Sequence, residues 1–281
     1  MGTQGTFCYR GGKSQLAEFI LAQCQPADIF VDAFGGSGAM SVAAVRDGRF
    51  KQVLYNDKDS CIYNTLITVR DKCDELVEYL SQTPIGRNTM NEIYALKNSG
   101  DPIKEAAGCI IQLEFTSYTP TLHNNPANGW ARPFSKGASS VSRGWKSWAA
   151  RMDAIRMMQR DLLKIFLENG DWHRFVKGYV SFQNNIIRDG IKPHTIIFLD
   201  PPYGETRGYN EDVDTAEVYA FFLEKHEHVT KILCDVEGVD ALEGEEFIAF
   251  PNRQTARKTR KFEHGIYINS GCQKRAVNTL F

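Results

Sequence analysis

Apolar positions along the chain follow two periods, and each predicts a different element. Short runs dense in β-branched and aromatic residues, "DIFVDAF", "QVLYND", "TIIFL", "KILCDV", "EFIAF" and "HGIYIN", predict buried strands, and "GYVSF" (178–182) reads as another. Helical spacing predicts the rest. Leu16, Phe19 and Ile20 share one face of a short helix with Ser14 as its N-cap, preceded by the basic loop "YRGGKSQ". "GGSGAMSVAAV" is a glycine loop opening a helix, one long helical stretch runs from Asp59 to about Gln82, and another helix lies around Thr215 to Lys225. The order β-loop-α-β-α begins a doubly wound parallel sheet. From about Asn88 to Leu167 the pattern changes to helices interrupted by a polar loop, "SYTPTLHNNPANGWARPFSKGASSVSRGW", long enough to suggest a functional segment. The expected fold is therefore α/β, with a sheet built from 1–87 and 170–281 and a mostly helical insert at 88–169.

Composition changes this picture little, but charge does. With 281 residues, 42% hydrophobic and 24% charged, the chain can bury a sizeable core, and disordered or fibrous classes are excluded. A net charge of −1 hides an uneven distribution. Eight basic residues (Arg132, Lys136, Arg143, Lys146, Arg151, Arg156, Arg160, Lys164) stand against two acids between Thr116 and Ile165, and five basic residues and no acid lie between Pro251 and Phe262. Two basic patches on a neutral chain point to an anionic partner met by one face.

The seven cysteines are scattered without paired spacing, which argues against a disulfide framework or a zinc site and for a reducing, cytoplasmic setting. His226 and His228 read as a solvated surface pair. No apolar run approaches membrane-spanning length, the amino terminus lacks a signal-peptide core, and "MGTQGT" fits a myristoylation pattern only by chance.

Two stretches carry candidate chemistry. In "DAFGGSGAM", Gly35, Gly36 and Gly38 let the backbone turn sharply and approach a ligand, while the following helix offers free N–H groups. Asp57, nineteen residues after Gly38, ends the next strand, where a carboxylate can accept both hydroxyls of a ribose. A tight turn with an acidic helix cap explains the same residues, and the spacing also suits a dinucleotide. In "TIIFLDPPYGE", the prolines must stop the strand, so Asp200 sits at a strand's carboxyl end, where open α/β sheets bind ligands. Pro201 and Pro202 stiffen the turn, leaving Asp200 and the Pro201 carbonyl as fixed acceptors for an amino group on a planar ring. Tyr203 supplies an aromatic face for stacking that ring, a contact worth about 1–3 kcal/mol per base. The plainer alternative is a strand-ending proline turn with a surface tyrosine.

The chain resembles the Dam-type DNA adenine N6-methyltransferases along nearly its whole length. Gly11, Gly12 and Lys13 match that family's Trp-x-Gly-Gly-Lys motif, with Tyr9 in place of tryptophan; Phe34, Gly36, Ser37 and Gly38 match its methionine-binding loop; Asn56 and Asp57 match its ribose-binding pair; and Asp200 to Tyr203 match its catalytic motif. The resemblance implies a Rossmann-like methyltransferase sheet and S-adenosylmethionine as cofactor, with S-adenosylhomocysteine as product and no metal. It implies cofactor contacts at Tyr9, Gly11, Gly12, Lys13, Asp32, Phe34, Gly36, Ser37, Gly38, Asp57 and Asp200, and catalysis by Asp200, Pro201, Pro202 and Tyr203. It further implies a target adenine flipped out of double-stranded DNA onto Tyr203, an insert that recognises the DNA, and a monomer or weak dimer in a bacterial or phage-infected cell, with a restriction–modification role in view. The family's acid for the cofactor's adenine amine is replaced in "SFQNNII" by amides, Asn184 or Asn185. Cys234 and Asp235 stand where the family often has a Ser-Asn pair, and no role is assigned to them.

The insert combines basic residues with Tyr118, Trp130, Phe134, Trp145 and Trp148, a mix suited to phosphates and bases. Trp148, Met152, Ile155 and Leu162 fall at helical spacing and read as core. Arg132, Lys136, Arg143 and Lys146 are the expected DNA contacts there. Arg253, Arg257 and Lys258, in "RQTARKTRK", either grip phosphates or form a solvated hairpin tip. Three rival functions remain: a methyltransferase acting on RNA or a protein amide, a DNA-binding module without turnover, and a nicotinamide enzyme that leaves Asp-Pro-Pro-Tyr without a role.

Overall fold

The structure, a computed structural model, describes residue 7 and residues 13–83, 90–115, 138–185, 193–202, 213–236, 238–251 and 264–270, with backbone alone at 90–91, 114–115, 138–147 and 182–185. In chain order the elements are α1 (Ala17–Ala22), β1 (Ile29–Asp32), α2 (Ala39–Asp47), β2 (Gln52–Asp57), α3 (Ser60–Asp71), α4 (Cys73–Gln82), α5 (Met90–Lys97), α6 (Pro102–Phe115), α7 (Ala138–Leu162), β3 (Ile165–Asn169), α8 (Trp172–Asn185), β4 (Thr195–Leu199), α9 (Thr215–Leu223), β5 (Val229–Val236), a short 3-10 turn at Asp240–Leu242, β6 (Glu246–Ala249) and β7 (His264–Ser270).

Among the described residues seven strands form one sheet in the order β3-β2-β1-β4-β5-β7-β6. β1 pairs in parallel with β2 and β4, β2 with β3 and β4 with β5, whereas β7 runs antiparallel to β5 and β6. The five parallel strands therefore end at one edge, where β1 and β4 lie side by side in the register Asp32↔Phe198. The strand order reverses between β1 and β4, the switch point where open α/β sheets leave a crevice.

Alternation along each central strand divides the core in two. Phe30, Ile196, Phe198, Ile232 and Cys234 face the layer of α1 to α7. Ile29, Val31, Ile197, Leu199 and Leu233 face α8 and α9. A strand covered on both sides favours apolar residues, and β4, apolar from Ile196 to Leu199, is buried throughout. Among the described residues no helix is long and apolar enough to cross a membrane.

The structure corrects several readings of the sequence. Residues 178–182, read as a strand, lie within α8, whose buried Trp172, Phe175, Val176 and Val180 recur at helical spacing. The strand is instead β3, Ile165–Asn169, which belongs to the sheet although the insert was drawn to residue 169. Ser14 does not cap α1: the chain first turns through a bond from the Leu16 N–H to the Lys13 carbonyl, and Leu16 becomes the N-cap position. The stretch from Asp59 to Gln82 is two helices rather than one, and α7 already begins at Ala138, inside the segment read as loop.

Candidate active site

The glycine turn after β1 is held by backbone and side chain together. The Gly35 N–H donates to the Asn56 carbonyl (2.8 Å) and the Gly38 N–H to the Gly35 carbonyl (2.8 Å). Gly36 and Gly38 adopt φ of 50° and 75°, a region that favours glycine. Gly35 is needed for a different reason: a Cβ there would overlap the Tyr55 ring. That ring closes the turn from below, and its hydroxyl donates to the Gly36 carbonyl (2.8 Å). Neither Tyr55 nor its partnership with Gly35 was read from the sequence, because a tyrosine on a strand looks like ordinary core.

Asp57, at the end of β2, binds the same turn. Its carboxylate accepts the Gly36 N–H (2.7 Å) and the Asp59 N–H (2.8 Å). Burial pushes its carboxyl up to about 6 despite these donors. Neighbouring Asn56 donates to the carbonyls of Ala33 and Gly170, tying β1 and β2 to the end of β3. Asp32, at the end of β1, is buried at 1% exposure and accepts from the Ser41 hydroxyl (2.7 Å). Burial pushes Asp32 up to about 7, and Asp200 and Asp57 add repulsion. Among the described residues, one oxygen each of Asp32 and Asn56 is buried without a hydrogen-bond partner, so two acceptors wait beside the turn.

The end of β4 completes the group. Both carboxylate oxygens of Asp200 lie 2.6 Å from the ammonium of Lys13, whose side chain is 6% exposed against 17% for Asp200. Asp200 also acts electrostatically on Asp32 and on Asp235, so these acids share one neighbourhood. Asp235 accepts from the Tyr219 hydroxyl (2.8 Å) and the Val236 N–H (2.7 Å), and burial raises its carboxyl. Cys234 faces the apolar core, where burial drives its thiol far up.

Of the residues expected from the sequence, Lys13, Asp32, Phe34, Gly36, Ser37, Gly38, Asp57, Asp200, Pro201 and Pro202 are described. Gly36 pairs with Asp57 and Lys13 with Asp200, and Asp32 feels the charges of both Asp57 and Asp200. Ser37 and Pro201 are buried and Pro202 half-buried. Phe34 packs on Trp172 with ring centroids 5.4 Å apart, so it anchors the turn to α8. Tyr9, Gly11, Gly12, Arg132, Lys136, Tyr203, Arg253, Arg257 and Lys258 lie outside the described residues, as do the side chains of Arg143 and Lys146 on α7 and Asn184 on α8.

Asn184 stands in the last turn of α8, roughly 18 Å along the helix from Trp172 at the usual rise per residue. Because α8 starts beside the end of β3 and leads back toward the start of β4, that turn lies toward the opposite edge of the sheet. The acid at the carboxyl end of β3 is Asp171, which caps α8 through the Arg174 N–H (3.0 Å) and follows Gly170, whose N–H donates to the Asp57 carbonyl. Its signal in the sequence was the run "IFLENGD", a short strand, a turn and a helix cap, obscured when the neighbouring segment was read as the strand.

No curated protein matches the sequence. Among solved structures, the rRNA methyltransferase aviRa from Streptomyces viridochromogenes is similar at a TM-score of 0.40 and 11% identity, covering 92% of this chain and 84% of that one. The model of the D12 class N6 adenine-specific DNA methyltransferases matches residues 9–232. That span takes in the glycine turn, the insert and the Asp-Pro-Pro corner, and the chain belongs to the D12 class of N6 adenine-specific DNA methyltransferases.

Proposed function

We propose that the chain transfers a methyl group from S-adenosylmethionine to the N6 amine of an adenine flipped out of double-stranded DNA. The observation that carries this reading is the meeting of the glycine turn with the Asp-Pro-Pro corner at the ends of two neighbouring strands. The donor set suits the cofactor. Asp32 and Asn56 keep buried oxygens without partners, fitting acceptors for an ammonium or hydroxyl, and the turn brings backbone close to whatever it holds. The Asp32 to Gly38 turn, Lys13 and Asp57 would hold it, with Asp171 beside Asp57 replacing Asn184 as the residue nearest its base. The sulfonium supplies an electrophilic methyl.

Asp200 and the Pro201 carbonyl accept the two hydrogens of the adenine amine, which frees the nitrogen lone pair from the ring, and Tyr203 stacks on the base. An ionised carboxylate offers about four lone-pair sites, so the grip of Lys13 leaves sites on Asp200 for the amine. Once the new bond forms, the surplus proton on the nitrogen passes to Asp200, which already accepts from the amine. Positioning of two reactants in this way accounts for much of the rate in a bimolecular transfer. Lys13, Asp32 and Ser37 are all buried, which keeps water from these three groups.

The helical insert would meet the DNA. α7 pairs with α2 through Asp161 and Arg46 (2.8 Å), and Lys146 lies 15 residues back along the helix, roughly 22 Å away. That length lets Arg143 and Lys146 reach beyond the catalytic half. Incubation with duplex DNA and S-adenosylmethionine, followed by mass spectrometry for N6-methyladenine, tests the reading. Modified adenine in duplex DNA, absent with Asp200→Ala, is the expected result. Methylation only of RNA or protein in parallel incubations, or none at all, overturns it.

A further inference from the structure

Two free thiols meet where the catalytic half joins the insert. Helices α3 and α6 pack side by side, with Cys61 in the first turn of α3 and Cys109 near the middle of α6. The two thiols hydrogen-bond each other, and neither is in a disulfide. Cys109 is buried in the core, while Cys61 is half-buried and open to a small reagent. The Thr65 hydroxyl donates to the Cys61 carbonyl (2.7 Å) and lies against the Cys109 sulfur. Lys97 on α5 brings its positive charge to both sulfurs, with Asp59 and Glu105 as the opposing acids around Cys61.

We propose that Cys61 and Cys109 form a peroxide-responsive dithiol that closes to a disulfide between the catalytic half and the helical insert. The pairing is asymmetric in the way such chemistry needs. Cys61 is half-buried and within reach of Lys97, whereas Cys109 is enclosed in the core, where burial holds its thiol well above the ordinary value. Thiolate character together with access selects the residue that oxidises first.

The Cys61 thiolate attacks one oxygen of a hydroperoxide. The O–O bond breaks, a sulfenic acid forms, and the departing hydroxide or alkoxide leaves as water or alcohol once protonated. The Cys109 sulfur then attacks the Cys61 sulfur as its proton passes to the leaving hydroxide, the S–O bond breaks, and water and the disulfide result. Two thiols are oxidised and one peroxide is reduced.

The link acts on the cofactor turn through a short path. Asp59 caps α3 by accepting the Cys61 N–H (2.8 Å), and the Asp59 N–H donates to the Asp57 carboxylate, which also holds Gly36. Drawing Cys61 toward α6 pulls on this chain of bonds. The regulatory consequence rests on the cofactor reading above, whereas the disulfide itself does not.

Full-length reduced protein treated with stoichiometric hydrogen peroxide, alkylated and mapped by mass spectrometry without reductant, tests the proposal. A Cys61–Cys109 peptide pair lighter by about 2 Da and released by dithiothreitol is expected, with Cys24, Cys73 and Cys234 still alkylated. Cys109→Ala is expected to leave Cys61 as a sulfenic acid trapped by a 1,3-diketone. Cys61 that stays reduced, or that links elsewhere, overturns the proposal in the wild-type protein whether or not the variant folds. Weaker binding of S-adenosylhomocysteine after oxidation, restored by dithiothreitol, is the expected consequence, and unchanged binding overturns it. If the reduced protein binds none, the cofactor assignment fails while the disulfide map still decides the thiol pair.

Discussion

Lys13 and Asp200, 187 positions apart in the chain, form a two-point ion pair in which one ammonium meets both carboxylate oxygens at 2.6 Å. The amino-terminal segment and the end of β4 are thereby joined where the proposed chemistry occurs. Removing one partner from a buried pair strands the other charge. Lys13→Met is accordingly expected to destabilise the protein by about 3 kcal/mol and to abolish methyl transfer, as measured by urea unfolding and by N6-methyladenine yield. A variant as stable as the parent would show that the pair is of no consequence to the fold.

Stability of the ligand-free protein should fall as pH rises. Asp32 and Asp57 are raised by burial to about 7 and about 6 from the ordinary carboxylate value of 3.8. The folded state therefore holds protons that the unfolded state has already released. Their contribution is complete below about 4 and is lost through the window from there to about 7, with a slope of at most about 1.4 kcal/mol per pH unit for each group. Urea unfolding from pH 5 to 8 should show the decline, and Asp32→Asn should flatten it. Cofactor affinity runs the other way and weakens as pH falls through about 7, readable by calorimetry.

Gly35→Ala and Tyr55→Phe separate crowding from hydrogen bonding in the turn. A methyl at position 35 runs into the Tyr55 ring, so the turn or the ring must move. Tyr55→Phe removes only the bond to the Gly36 carbonyl, a loss of about 1 kcal/mol. Thermal unfolding and cofactor binding should both suffer more from the alanine. Equal effects would mean that the ring yields easily.

Lys231 predicts an alkaline effect of opposite sense. Its ammonium, buried in β5, donates to the carbonyls of Phe221 and Glu224 at the end of α9 and sits 4.3 Å from the centre of the Phe221 ring. Burial lowers it to about 8 from 10.5, so the folded state gives up a proton that the unfolded state keeps. Stability should accordingly rise between about 8 and 10.5 relative to Lys231→Met, which has no proton to lose there. Paired unfolding curves across that range would show it.

The sequence revealed the positions of the strand-end acids more fully than the packing around them. Asp32, Asp57 and Asp200 were legible because each closes an apolar run with an acid, a pattern that local chemistry alone explains. β3 was not, since an edge strand of five residues with Phe166 60% exposed buries too few positions to announce a period. α8 was misread because Tyr179, Val180 and Phe182 crowd β-prone side chains into a window shorter than two helical turns, and only the longer series from Trp172 shows the helix. Tyr55, Ser41 and Asn56 act between elements, and a single chain read in order contains no such distances. Gly170, whose carbonyl Asn56 reaches from β2 across 114 positions of sequence, is the plainest case.

Four carboxylates, Asp32, Asp57, Asp200 and Asp235, close the ends of four different strands, with the buried ammonium of Lys13 against Asp200. Such a hollow sorts visitors by sign. A phosphodiester is repelled from it, a positively charged methyl donor is drawn in, and a neutral purine is indifferent to its field. In the proposed reaction duplex DNA would present its base to the hollow with its backbone left outside, so the arrangement of acids accords with extrusion of the nucleobase rather than entry of the strand.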